Sequence, residues 1–255
     1  MRPIRKHLRS MLARPVRILL LSAGLALTAV GHYTWVAPVA PLEAGKPATI
    51  RIGHGHKFPQ SEEGINARQA ELVAVAPSGA RTSLPAAAGP TEVTATFTPR
   101  EKGTYRIGFT QDRGVSSRTP KGVKPGGRDR NPDATQAYRT FRSAVAYVAF
   151  GTAAATAGKP LGFELELTGE WAQGAWQVRL LKHQQPVAGV PVEVFLSGAA
   201  KAVEAGKTNP DGKLSYSPPS GVKGPAMFSA AFRDAAPAGA AYDHVNYETS
   251  LYVSW

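Results

Sequence analysis

Short runs of alternating apolar residues, each stopped by a turn within about ten residues, constrain this chain more than any other feature of its sequence. Pro47–Gly53 carries Ala-Thr-Ile-Arg-Ile, and Ala70–Ala76 carries Glu-Leu-Val-Ala-Val before the turn Pro77-Ser78-Gly79. Thr91–Thr98 sets Val93, Ala95 and Phe97 against threonines, and Gly103–Thr110 puts Tyr105, Ile107 and Phe109 on one face. The pattern returns in the second half at Leu161–Leu167, Trp176–Leu181, Val190–Leu196, Lys213–Ser217, Ala226–Phe232 and Tyr247–Ser254. Period two predicts strands, and the regular punctuation predicts antiparallel sandwiches. No long helical periodicity competes. The one ambiguous stretch is 134–149, whose alanines fit helix as well as strand; Asp133–Tyr138 reads as a short helical turn and Phe141–Phe150 as a strand.

Two segments interrupt the pattern. Gly151–Lys159 is a linker of small residues. Residues 111–132 hold prolines at 120, 125 and 132, four glycines, and Arg113, Arg118, Lys121, Lys124, Arg128 and Arg130 against Asp112 and Asp129. That composition predicts a long basic loop, either a mobile excursion or a lid or anion-docking element. The expected organisation is a leader at 1–31, a first β-domain at 32–150 containing the loop, and a second at 160–255.

The leader is read from charge. Arg2, Arg5, Lys6, Arg9, Arg14 and Arg17 precede the apolar run Ile18–Val30, which is short for a bilayer span, and Ala29 and Gly31 are small residues of the kind a signal peptidase reads. These six cations are half of the net +12, so the remaining chain carries about +6. No nucleic-acid motif accompanies that charge. After the leader no apolar stretch reaches spanning length, and the expected location is the periplasm.

Cysteine is absent, which excludes disulfides, thiolate metal sites, covalent haem attachment and a lipidated N-terminus. Met227 alone follows the leader, which excludes a methionine-lined Cu(I) site. Any metal must be held by histidine, carboxylate, backbone or an amino terminus. Cleavage after Gly31 would expose His32 as a terminal residue whose amine and imidazole form a chelate; cleavage after Ala29 would leave it an ordinary residue before a strand. His54 and His56, two apart in Gly53-His54-Gly55-His56-Lys57-Phe58-Pro59, would share a face if the strand continues. Glu62 and Glu63 follow within reach. The candidate metal set is His32, His54, His56 and a carboxylate, Glu62, suited to Ni, Co, Cu or Zn. His183 reads as an exposed hairpin tip. His244, between Asp243 and Asn246, is a candidate only if it reaches across the domain junction. Tyr33 and Trp35 read as an aromatic strand face in the core. No nucleophile elbow, zinc-protease helix or phosphate loop is present, so the chain is not read as an enzyme.

Gln185–Val192 followed by Thr208-Asn209-Pro210-Asp211-Gly212-Lys213 resembles the immunoglobulin-like modules of the prealbumin and carboxypeptidase-regulatory type, which implies a fold and no chemistry. The order Gly-His-Tyr-Thr-Trp-Val-Ala-Pro at 31–38, Gly-His-Gly-His-Lys-Phe-Pro at 53–59 and Gly103-Thr104-Tyr105 resembles the NikM-like family of exported domains of unknown function (domain of unknown function number 4198). The strand pattern predicts two immunoglobulin-like β-sandwich domains, and the family resemblance implies a periplasmic protein associated with nickel or cobalt uptake. It points to His32 and His54, with His56 as a neighbour, and to a membrane metal transporter or outer-membrane receptor as partner. Two rivals stand beside it: a copper histidine-brace protein, oxidase or chaperone, and a non-metal binding or adhesion module.

Overall fold

The computed structural model describes residues 32–151, 159–197, 199–222 and 224–254. The leader expected at 1–31 and most of the linker expected at 151–159 lie outside the described residues. Apart from one 3-10 turn at Ala67–Gln69, the described elements are all strands, as the sequence pattern predicts. They are β1 (Tyr33–Pro38), β2 (Ala48–Gly55), β3 (Ala70–Val75), β4 (Arg81–Ser83), β5 (Ala87–Ala88), β6 (Val93–Phe97), β7 (Gly103–Thr119), β8 (Gly122–Pro125) and β9 (Gln136–Phe150) in the first half. The second half adds β10 (Leu165–Ala172), β11 (Ala175–Lys182), β12 (Gln185–Pro186), β13 (Pro191–Leu196), β14 (Val203–Lys207), β15 (Lys213–Tyr216), β16 (Pro225–Ala235) and β17 (His244–Ser254). Among the described residues no helix is long and apolar enough to cross a membrane.

Both halves contribute to one nine-stranded central sheet, β14-β13-β16-β17-β9-β7-β3-β4, with β8 beside β7. The halves meet at the parallel pair β17 and β9, in register from His244 opposite Tyr138 to Tyr252 opposite Ala146. A four-stranded sheet, β1-β2-β6-β5, covers one face, and β10-β11-β12 with β15 covers the other. The central strands are therefore buried on both sides. On β9, Ala144, Ala146, Val148 and Phe150 enter the core under β1 and β2, while Val145 and Tyr147 enter the core under β10 and β11. Two-sided burial explains why 144–150 is apolar without alternation, and it decides the helix-or-strand ambiguity of 134–149 for strand. The helical turn expected at Asp133–Tyr138 is absent: β9 begins at Gln136.

The loop expected over 111–132 is largely sheet. β7 runs on to Thr119, turns at Pro120-Lys121 and returns as β8. The glycines and prolines fall where a ladder tolerates them. Gly114 takes positive φ at the register shift between Asp112 and Val115, and Pro125 ends the edge strand β8. Ser117 and Thr119 are buried, which fixes the face of this extension. The irregular remainder is tied down: Arg128 pairs with Asp243 at 2.9 Å, and the Asn131 amide donates to the carbonyls of Pro125, Gly126 and Gly127.

Candidate metal centre

Strand register builds the site. In the β1–β2 pair Thr34 lies opposite His54, and Trp35 lies opposite Gly53. Trp35 is fully buried, and a Cβ on residue 53 would stand 2.4 Å from its indole. Only glycine fits there, so the aromatic core fixes the backbone that carries His54. β2 stops at Gly55, whose φ of 146° favours glycine. The chain turns away, and 61–63 returns to the His54 backbone: the Glu62 and Glu63 amides donate to the His54 carbonyl at 2.8 and 3.2 Å, and the His54 amide donates to Ser61 Oγ at 2.8 Å.

This return brings three side chains together. His32, His54 and Glu63 each present one donor atom within 4.8 Å of the others. His32 Nδ1 stands 3.1 Å from Glu63 Oε2, and the His32 and His54 rings are 5.1 Å apart at their centroids. The expected same-face pairing of His54 with His56 fails because the strand ends between them: His54 is buried and His56 is exposed. His56 still packs edge-on against His32, with centroids 4.0 Å apart. Glu62 is engaged elsewhere, accepting from the His56 amide at 2.6 Å with its other oxygen 3.6 Å from Lys57 Nζ. The clustered carboxylate is thus Glu63 rather than Glu62.

His54 is held in one tautomer. Its Nδ1 lies 3.0 Å from the Tyr33 carbonyl, which can only accept, so Nδ1 carries the hydrogen. Thr34 Oγ1 sits 3.0 Å from the same nitrogen. Nε2 keeps its lone pair, met at a long 3.4 Å by an Arg142 Nη. Arg142 is buried and pairs through Nε with Glu248 Oε2 at 2.7 Å. Burial first, then the Arg142 guanidinium and His32, push the His54 pKa down to about 3.

The sign of that shift gives a pH dependence. Between pH 6.5 and 3 the unfolded chain binds a proton on this ring that the folded protein refuses. The stability linked to neutral His54 is complete above 6.5 and lost as pH falls toward 3. At pH 5 the metal-free protein should lose about 2 kcal/mol on this account relative to pH 7. Urea denaturation of the protein and of His54→Gln at both pH values checks it. A variant with an undiminished acid slope would assign the loss to other groups.

Arg142 and Glu248 come from β9 and β17, 106 residues apart, and the sequence singled out neither. No local motif could have found them, since their meeting depends on the parallel pairing of the two halves. His183 is exposed in a turn with φ of 46°, its Nδ1 3.1 Å from Glu164. His244 opens β17, buried and stacked on Tyr138 with centroids 5.7 Å apart; it does not join the cluster.

A family model described as a domain of unknown function (DUF4198) matches residues 29–234. No curated protein matches the chain. Among solved structures, a DUF4785 family protein from Legionella pneumophila is 10% identical with a TM-score of 0.27, over 76% of this chain and 52% of that one. The chain thus spans about half the length of that protein. The D0-D1 domain of intimin is 12% identical with a TM-score of 0.22, over 87% of this chain and 97% of that one. A marsupial T cell receptor is 9% identical with a TM-score of 0.24, over 86% and 74%.

Proposed function

The chain belongs to the family of the domain of unknown function DUF4198, and within that family we propose that it binds a divalent transition metal through His32, His54 and Glu63. The observation that carries this reading is the convergence of three donors from separate segments within 4.8 Å, one of them a buried imidazole whose tautomer is set in advance. A metal ligand needs a deprotonated ring, and the second nitrogen of a ligating histidine is ordinarily anchored on a carbonyl or carboxylate. In His54 burial keeps the ring neutral, and the Tyr33 carbonyl anchors its Nδ1–H. Binding at Nε2 displaces one long hydrogen bond from Arg142 and leaves the Arg142–Glu248 pair in place. Two imidazoles and one carboxylate suit Zn, Ni, Co and Cu. His56, at the rim beside His32, is a further donor in reach.

The basic, apolar leader supports export to the periplasm, and the resemblance stated above favours nickel or cobalt carried for a membrane transporter. Calorimetry of metal-free protein with Ni(II), Co(II), Cu(II) and Zn(II) tests the reading: one equivalent should bind at the three-residue site. Intact mass of protein exported by its host establishes whether His32 is terminal. A terminal His32 together with Cu-dependent oxygen consumption would favour the copper-brace alternative over carriage. Failure of all four metals to bind would return the cluster to a polar network.

A further inference from the structure

A cavity of about 210 Å³ opens beside His32. Tyr33 and Thr34 of β1 line one side, and Arg233, Asn246 and Glu248 of the central sheet line another. Arg233 faces Asn246 in the β16–β17 register and donates Nε to its Oδ1 at 3.0 Å. Its guanidinium forms no ion pair among the described residues. The carboxylates of the same cavity are placed differently: Glu248 is paired with Arg142, Glu193 accepts from the Tyr33 hydroxyl at 2.7 Å, and Glu204 is exposed. The register sets the spacing. Glu248 stands level with Arg142, which touches His54, and Asn246 is two residues earlier on the same strand, a step of about 7 Å. His32 of the three-donor cluster and the Arg233 cation, which has no ion pair among the described residues, thus line one cavity.

We propose that the cavity binds an amino-acid-sized amino-dicarboxylate that completes the metal's coordination and sets its second carboxylate against Arg233 and Asn246. This rests on the metal reading above. Three protein donors leave at least one position of a four-coordinate ion open, and more of a larger shell. The cavity of about 210 Å³ has room for a small ligand. Arg233 selects an anionic group through charge-assisted hydrogen bonds. Glu193 and Glu204 in the same wall repel excess negative charge, which favours an amino-carboxylate over a polycarboxylate.

The test uses Cu(II) as a spectroscopic metal and L-aspartate as the probe, with citrate as the polyanionic comparison. Cu(II)-loaded protein should bind aspartate at least about tenfold more tightly than metal-free protein, with a change in the copper resonance spectrum. Aspartate should bind more tightly than citrate. Arg233→Gln should weaken aspartate at least about tenfold with Cu(II) affinity unchanged; Asn246→Ala serves as a second variant, and thermal melting establishes that each folds. If Cu(II) itself fails to bind, the metal reading falls and takes this proposal with it. If Cu(II) binds but aspartate strips it from the protein, or binds Arg233→Gln equally well, the cavity assignment alone falls.

Discussion

Metal affinity should fall at least about tenfold when His54 is replaced by alanine. The loss of even an outer-shell partner commonly costs that much, and His54 is placed to ligate directly. Its Nδ1–H is committed to the Tyr33 carbonyl, which leaves the Nε2 lone pair, now 3.4 Å from Arg142, as its donor. His56, the further donor beside His32, is exposed and tied through Nδ1 to Glu62, so it does not reproduce the buried ring. Glu63→Gln should also weaken binding, because the amide loses the charge that a divalent ion selects. Glu62→Gln should act mainly on the His56 turn and leave affinity within a few fold. Competition titration against a chromophoric chelator measures all three. The ordering is the informative part: Glu62→Gln as damaging as Glu63→Gln would place the ion on the His56 side of His32. Unchanged affinity in His54→Ala would remove it from the buried ring altogether.

The ordering also marks where sequence reasoning reached its limit. His32 and His54 stood out in the sequence because a histidine after a basic, apolar stretch and a histidine between glycines are unusual locally. The choice of Glu62 over Glu63 was not decidable from spacing. It turns on Gly55, whose backbone ends β2 one residue before period two would have carried His56 to the buried face. Strand alternation at Gly103–Thr110 was legible because one apolar face announces itself. The same strand beyond Thr110 was not, because Gly114, Pro120 and Pro125 carry loop composition into positions where a register shift, a turn and an edge strand accept them. Arg142 was invisible for another reason. It is a cation inside an apolar strand, and its meaning depends on Glu248, brought beside it by a parallel pairing between the halves that no local pattern encodes.

Glu166→Ala should be the most destabilising single substitution outside the aromatic cores, by about 3 kcal/mol. Glu166 is 2% exposed on β10. Its carboxylate accepts from the amides of Leu161 and Gly162 at 2.7 and 2.9 Å and more distantly from Phe163. These amides belong to the segment that brings Leu161 and Phe163 against the central sheet, where a Cβ on Gly108 would stand 2.4 Å from Leu161 Cδ1. Removing the carboxylate leaves these donors without an acceptor in a buried setting, at about 1–3 kcal/mol for each one left unsatisfied. Burial raises the Glu166 pKa, with the three amides working against it. Ionising this group therefore costs stability as pH rises through its folded value, opposite in sign to the contribution of His54. Glu166→Gln keeps one acceptor oxygen and removes the buried charge but sets an NH2 donor against the amides the other oxygen served, so it should recover only part of the alanine loss. Urea denaturation of the two variants separates these roles. An alanine variant as stable as the parent would mean that water satisfies the three amides and that the segment does not depend on its carboxylate.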